Sequence, residues 1–215
     1  MTPASAEETI QRLILSLSEL EQLSASIISG RGNFSVSSQM HLRVIMNTLQ
    51  VTQGAILRFH PTQRQLVIES TINVKDESLM ISVEPDTIPL MLQFPIIAPS
   101  RPPLALEPFL SGIQPQLQSL GANLWAVLKV QDEFLGIISL GPFLAGIEME
   151  DWSHGLFRVL ANQTAISMVH SRLLDEVRAD KFHLFLLSDM TAQICQRLDT
   201  GILAEEVVDD AVTLL

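Results

Sequence analysis

Few side chains in this 215-residue chain stand where chemistry would need them. Cys195 is the lone thiol. A nucleophilic cysteine needs a neighbouring base and an exposed position, and Cys195 follows Ile194 in an apolar helical run, so it reads as a packing residue. His154 lies one helical turn after Asp151, which puts an imidazole and a carboxylate on one face. At a helix start such a pair reads as solvated rather than as metal ligands. Arg101 is the only charge between Asp86 and Glu107; it either orients an anion in apolar surroundings or points to water. His170 sits among regularly spaced apolar residues, where an imidazole either senses pH or fixes helix register. No G-x-S-x-G, no phosphate-loop lysine motif and no H-E-x-x-H occurs. No catalytic residue, metal ligand or cofactor is assigned.

The elements that position these residues are dominated by one run. Glu148 to Leu198 has no proline and a single glycine, Gly155, and reads as one long helix. Alternating steps of four and three from Val159 reach Gln163, Ile166, His170, Leu173, Val177, Asp180, Leu184, Leu187, Thr191, Ile194 and Leu198. Most of these are apolar, which is the 3.5-residue period of a coiled-coil seam and calls for a second helix. Gln163, His170, Asp180 and Thr191 are polar insertions; paired Asp180 carboxylates would repel and loosen the coil midway. Thr2 to Ser29 carries a second heptad series, Ile10, Leu13, Leu17 and Leu20, ended by Gly30-Arg31-Gly32-Asn33. A parallel homodimer is expected, with Ile10, Leu13, Leu17, Leu20, Val159, Ile166, His170, Leu173, Val177, Leu184, Leu187 and Ile194 at its interface.

The remaining elements follow in order. Ser37 or Ser38 is expected to cap a helix with Met40, Val44, Ile45 and Leu49 on one face. Gly54–His60 and Gln65–Ile72 read as a hairpin, and residues 74–84 as a loop or short helix. Eight of the eleven prolines fall between Pro85 and Pro115, which forbids a long helix or central strand there. Yet Leu90, Met91, Leu92, Phe94, Ile96 and Ile97 demand burial, so this segment should fold over the core or over a ligand cavity. Asn123–Val130 and Phe134–Gly141 form a second strand pair. The fold class is α+β with an antiparallel sheet.

Bulk properties exclude several classes. A formal charge of −11 argues against nucleic acid as a partner. The longest weakly charged run, Phe134–Ile147, is too short and too interrupted by glycine and proline to span a membrane, and the first ten residues lack a secretory pattern. One cysteine suits a reducing cytoplasm.

Residues 127–141, VLKVQDEFLGIISLG, followed by residues 148–176, EMEDWSHGLFRVLANQTAISMVHSRLLDE, resemble the closing strands and helix of a GAF domain, the ligand-sensing relative of the PAS fold. GAILRFHPTQRQLVIES resembles its first hairpin, and the likeness runs from about Ser37 to Glu176. It implies a GAF/PAS-like central antiparallel sheet flanked by helices, with a ligand cavity under the irregular segment. The expected pocket residues are Met91, Phe94, Ile97, Arg101, Trp125 and Ser139. The resemblance also implies negatives. The cyclic-nucleotide signature is missing, Cys195 lies beyond the position of a bilin-bearing cysteine, and His60 is the sole candidate for a haem ligand.

The organisation expected is an N-terminal dimerisation helix over 1–32, a GAF domain over 33–176 and a signalling helix over 177–198. Residues 199–215 would be the first helix of a further domain, capped by Asp199 or Thr200, because Leu203, Val207, Val208 and Val212 repeat the pattern of Met40, Val44, Ile45 and Leu49. The implied function is a non-enzymatic, cytoplasmic bacterial sensor that relays a small-molecule signal through paired helices. Its output would be a kinase, a diguanylate cyclase or a transcription activator, as in two-component or cyclic-di-GMP signalling. The alternative is a structural dimerisation module whose cavity is filled by side chains.

Overall fold

The structure, a computed structural model, describes residues 34–144 and 151–213 together with Ser18. Contacts divide the chain into two units, Met1–Ser171 and Arg172–Leu215. The first unit is built on a six-stranded antiparallel sheet of order β3-β2-β1-β6-β5-β4. Helix α1 (Phe34–Leu49) leads into the hairpin β1 (Gly54–His60) and β2 (Gln65–Ile72), and β3 (Met80–Ser82) adds an edge strand. Helix α2 (Thr87–Gln93), the two-residue β4 (Ile96–Ile97), a 3-10 turn at Leu104–Leu106, α3 (Glu107–Gly112) and α4 (Gln114–Leu120) make the proline-rich segment. Strands β5 (Leu124–Val130) and β6 (Glu133–Leu140) complete the sheet, and α5 (Asp151–Thr213) closes the chain.

Strand alternation sorts the core into two layers. Ala55, Leu57, Trp125, Val127 and Ile137 face the proline-rich segment and form one cluster with Met91, Ile97, Leu106, Leu110, Leu117 and Leu120. On the opposite face, Gly54 lets α1 approach closely: a Cβ there would crowd Leu42, Met46 and Leu140 at 3.1–3.3 Å. Ile56 pairs with Ile138, which pairs with Ala126, so these three line the same face beneath the helices. The prolines act as expected, keeping the segment to short helices; Pro108 and Pro115 sit in the first turns of α3 and α4, where no intrahelical N–H is needed. Gly136 has φ +153°, and a Cβ there would run into the carbonyl of Leu57 on the neighbouring β1.

Four local expectations are corrected. Ser37 and Ser38 lie inside α1 and are buried instead of capping it, because α1 already begins by Phe34. Met40 is half exposed, and His41 and Leu42 take its place on the inward face, since the polar residues there satisfy one another. The span 74–84 contains β3, whose alternating exposure buries Ile81 against the core. Helix α5 continues unbroken through Asp199 and Gly201 to Thr213, so no helix is capped at Asp199 or Thr200. The first 32 residues, including Ile10, Leu13, Leu17 and Leu20, lie outside the described residues except for Ser18, and so do the side chains of Ile194 and Cys195.

Candidate functional site

The proline-rich segment covers one face of the sheet, and the structure brings four of the six expected pocket residues together beneath it. Met91 and Trp125 are 0 % exposed, and Ile97 and Ser139 are buried with them. Trp125 and Ser139 are cross-strand partners in the β5–β6 register, and the indole Nε1–H donates to Ser139 Oγ at 3.1 Å. Ile97 pairs with Trp125 through β4. A side chain with no exposed surface adjoins no void that admits water, so the space around Met91 and Trp125 is filled by neighbouring side chains. Phe94 is partly buried at the margin of this cluster. Arg101 is exposed in the turn Ala98–Arg101, where its N–H donates to the Ala98 carbonyl at 2.9 Å. Lys129 ties the cover to the sheet by donating from Nζ to the Leu92 carbonyl at 3.0 Å.

Space for a ligand lies elsewhere. A cleft of ≈ 440 Å³ opens at one end of the sheet between α4, Gln53, Ser100 and Pro142. A second, of ≈ 340 Å³, lies beside β2 at Gln39, Ser70 and Glu77. Among the described residues no group of three or more His, Cys, Asp or Glu side chains could hold a metal ion. No helix of the described residues is long and apolar enough to cross a membrane.

Helix α5 supplies the other candidate surface. Leu156, Phe157, Leu160, Ala161, Ala165 and Met168 are buried at helical spacing. Val159, Ile166, Leu173 and Val177, half a turn round at 100° per residue, are 40–50 % exposed. Beyond Ser171 the same series continues through Leu184 and Leu187, both more than 60 % exposed. His170 stands in this series with a buried Nδ1 that has no hydrogen-bond partner among the described residues.

No family model matches the chain, and no curated protein sequence does. Solved structures do. The GAF domain of a cyanobacterial phytochrome, with phycoerythrobilin bound, superposes with a TM-score of 0.56 at 14 % identity over 74 % of this chain and 97 % of that one. The GAF domain of a phosphoenolpyruvate-protein phosphotransferase from Coxiella burnetii gives 0.56 at 16 % identity, covering 76 % of this chain and 98 % of its own. The chain has the GAF fold. A segment of a methyl-accepting chemotaxis protein is similar over 71 % of this chain, with a TM-score of 0.53 at 12 % identity.

Two residues of this GAF-fold domain escaped the sequence reading. His41 is fully buried between α1 and α5: its Nδ1–H donates to the Ser37 carbonyl at 2.9 Å, and Ser167 Oγ lies 3.3 Å from Nε2, where it donates. Burial pushes the imidazole below its ordinary pKa, and the Ser37 hydrogen bond offsets part of that shift. The signal was the spacing of Ser37 and His41, one helical turn apart on the face of Ile45. Gln53 is the second. Its Nε2 donates to the Leu120 carbonyl at 2.8 Å, and a Cβ at either Gly121 or Gly141 would collide with its side chain. Nothing in the order of residues brings those two glycines to Gln53; only the assembled sheet does.

Proposed function

We propose that this GAF-fold domain is a regulatory, non-enzymatic module of a cytoplasmic bacterial signal-transduction protein. It pairs with a second copy through parallel helices and relays a small-molecule signal along α5 to an output domain. The observation that carries this reading is the exposed apolar series on α5, from Val159 through Ile166, Leu173 and Val177 to Leu184 and Leu187. Apolar side chains left at heptad spacing along an uninterrupted 63-residue helix are what a coiled-coil partner covers. The unpartnered Nδ1 of His170 in the same series favours an environment that the single chain leaves incomplete. GAF-fold neighbours named for a phytochrome, a phosphotransferase and a chemotaxis protein support a signalling role. Sedimentation of the full chain at ~10 μM is the test, since association shifts with concentration by mass action. A dimer is expected; a monomer overturns the reading.

A second reading, a dimerisation module with no ligand under the cover, draws support from the sealed surroundings of Met91 and Trp125. On the sensor reading the set Met91, Phe94, Ile97, Arg101, Trp125 and Ser139 receives ligand only after the cover lifts. Thermal-shift screening with small acids, nucleotides and aromatics, repeated on Arg101→Ala, separates the two: stabilisation that the variant loses favours the sensor.

A further inference from the structure

We infer that the cleft at the end of the sheet is the ligand site of this domain and that it takes an uncharged, polyhydroxylated small molecule, a sugar or polyol. The inference deepens the sensor reading by moving its ligand from the filled interior to a place where space exists. At ≈ 440 Å³ the cleft falls within the range of small-molecule sites. Every described residue lining it is uncharged, in a chain of net charge −11. An ionic ligand would find no opposite charge among these lining residues. What the cleft offers instead is four primary amides, Gln53, Gln114, Gln118 and Asn123, and the Ser100 hydroxyl. Each amide carries donors and an acceptor on adjacent atoms, and a hydroxyl of a diol both donates and accepts, so the two chemistries interlock without a charge. Pro99 and Pro142 add apolar wall for the C–H faces of such a molecule.

One residue of the lining is also held in place. Gln53 is threaded between Gly121 and Gly141, where any side chain would collide with it, and its Nε2 is committed to the Leu120 carbonyl. Its amide is therefore oriented before a ligand arrives, which lowers the entropy lost on binding. The position matters for relay as well. Gln114 and Gln118 belong to α4 of the cover, whereas Gln53 and Pro142 belong to two segments that run side by side: the Gly141 N–H donates to the Gln53 carbonyl at 2.9 Å, Thr52 N–H to the Pro142 carbonyl at 3.3 Å, and Leu144 N–H to the Gln50 carbonyl at 2.9 Å. A molecule bridging α4 to these segments clamps the cover against the end of the sheet.

The test is a titration of the full chain with glucose and sorbitol, and with gluconate and glucosamine as charged counterparts, followed by NMR of the Asn and Gln side-chain amides. Saturable shifts of the Gln53, Gln118 and Asn123 amides with the neutral molecules are expected, and weaker or absent shifts with the charged ones. Gln118 is exposed, so Gln118→Ala leaves the fold intact and should weaken glucose binding about tenfold, the effect of one hydrogen bond within a network. Absence of saturable shifts with glucose and sorbitol overturns the inference, as do tighter binding of gluconate or glucosamine and affinity unchanged in Gln118→Ala. Saturable amide shifts in a chain that sediments as a monomer leave the site standing and remove the paired-helix relay. A dimer without amide shifts does the reverse.

Discussion

Helix α5 does two different things along its length, and the contrast is visible in what each stretch buries. From Ser153 to Ser171 one side of the helix is inside the first unit: Phe157, Leu160, Thr164, Ala165 and Ser167 are closed to solvent, and Thr164 Oγ1 bonds back to the Leu160 carbonyl at 2.9 Å. From Asp175 to Met190 every residue is exposed, Phe182, Leu184, Phe185 and Leu187 included. The first stretch is stabilised by its own domain, whereas the second is exposed and, among the described residues, carries surface intrahelical pairs such as Arg178–Asp175 at 3.2 Å, which contribute little. A helix of this length with no buried face is marginal in water unless a partner covers it. On the reading proposed above, one continuous helix is folded by its domain at one end and by assembly at the other.

The largest effect should come from cutting into the first stretch. Phe157→Ala removes a fully buried aromatic side chain and should cost about 3–5 kcal/mol of unfolding free energy by urea denaturation. A loss below 1 kcal/mol, a margin typical of surface sites, would mean that this stretch is not anchored by its domain. The corresponding cut in the second stretch, Leu184→Asp with Leu187→Asp, should leave the near-ultraviolet circular dichroism of the domain unchanged. It should raise the dimer dissociation constant by about a hundredfold, as loss of two central apolar contacts does. If both pairs of measurements change together, the division at Ser171 is wrong.

A smaller effect sharpens the first half of the comparison. Ser167 faces His41 Nε2 across α1 and α5, so Ser167→Ala leaves a buried imidazole nitrogen without its donor and should cost about 1 kcal/mol. The same site gives the domain an acid sensitivity. His41 is held below its ordinary value of 6.5 in the folded chain, chiefly by burial, so the unfolded chain binds the proton first as pH falls. The contribution is fully present above about 6.5 and is lost as pH drops from there toward the folded value. Denaturation midpoints measured at several pH values should fall below that point, and less so in His41→Gln.

How much of this could be read from the residues differs between the two stretches for a physical reason. Periodicity announces apolar faces: the series from Val159 to Leu187 is legible at heptad spacing, and its apolar members are exposed in the single chain. The β hairpins were legible from alternation and turn residues, and the lack of a long helix or central strand between Pro85 and Pro115 from the prolines, whereas the short helices there were not. Periodicity does not say where burial is polar. His41 among Ser37 and Ser167 looks like an interruption of a face, and periodicity alone puts Met40 inward in its place. Nor does it measure the volume that side chains fill. Met91 and Trp125 have the right types for a pocket wall and equally for a solid core, and only their closed surface decides. The end cleft was invisible because Gln53, Gly121 and Gly141 come together only through the register of the finished sheet.

The smallest expected effect probes whether the exposed stretch really pairs in register. Asp180 falls in the heptad series between Val177 and Leu184 and is exposed in the single chain. If two chains pair in parallel, Asp180 meets its own copy, and two carboxylates at that spacing repel and lose hydration together. Asp180→Leu then removes the repulsion and adds apolar contact, so the dimer should melt at a higher temperature, with a larger gain in low salt than in high salt because screening already relieves part of the repulsion in the wild type. In an antiparallel or staggered pairing, or in a monomer, the residue faces water or an unrelated side chain, and the substitution should leave the melting temperature unchanged at every salt concentration. A gain that does not depend on salt would assign the effect to helix propensity rather than to relief of like charges, and would place Asp180 away from its own copy.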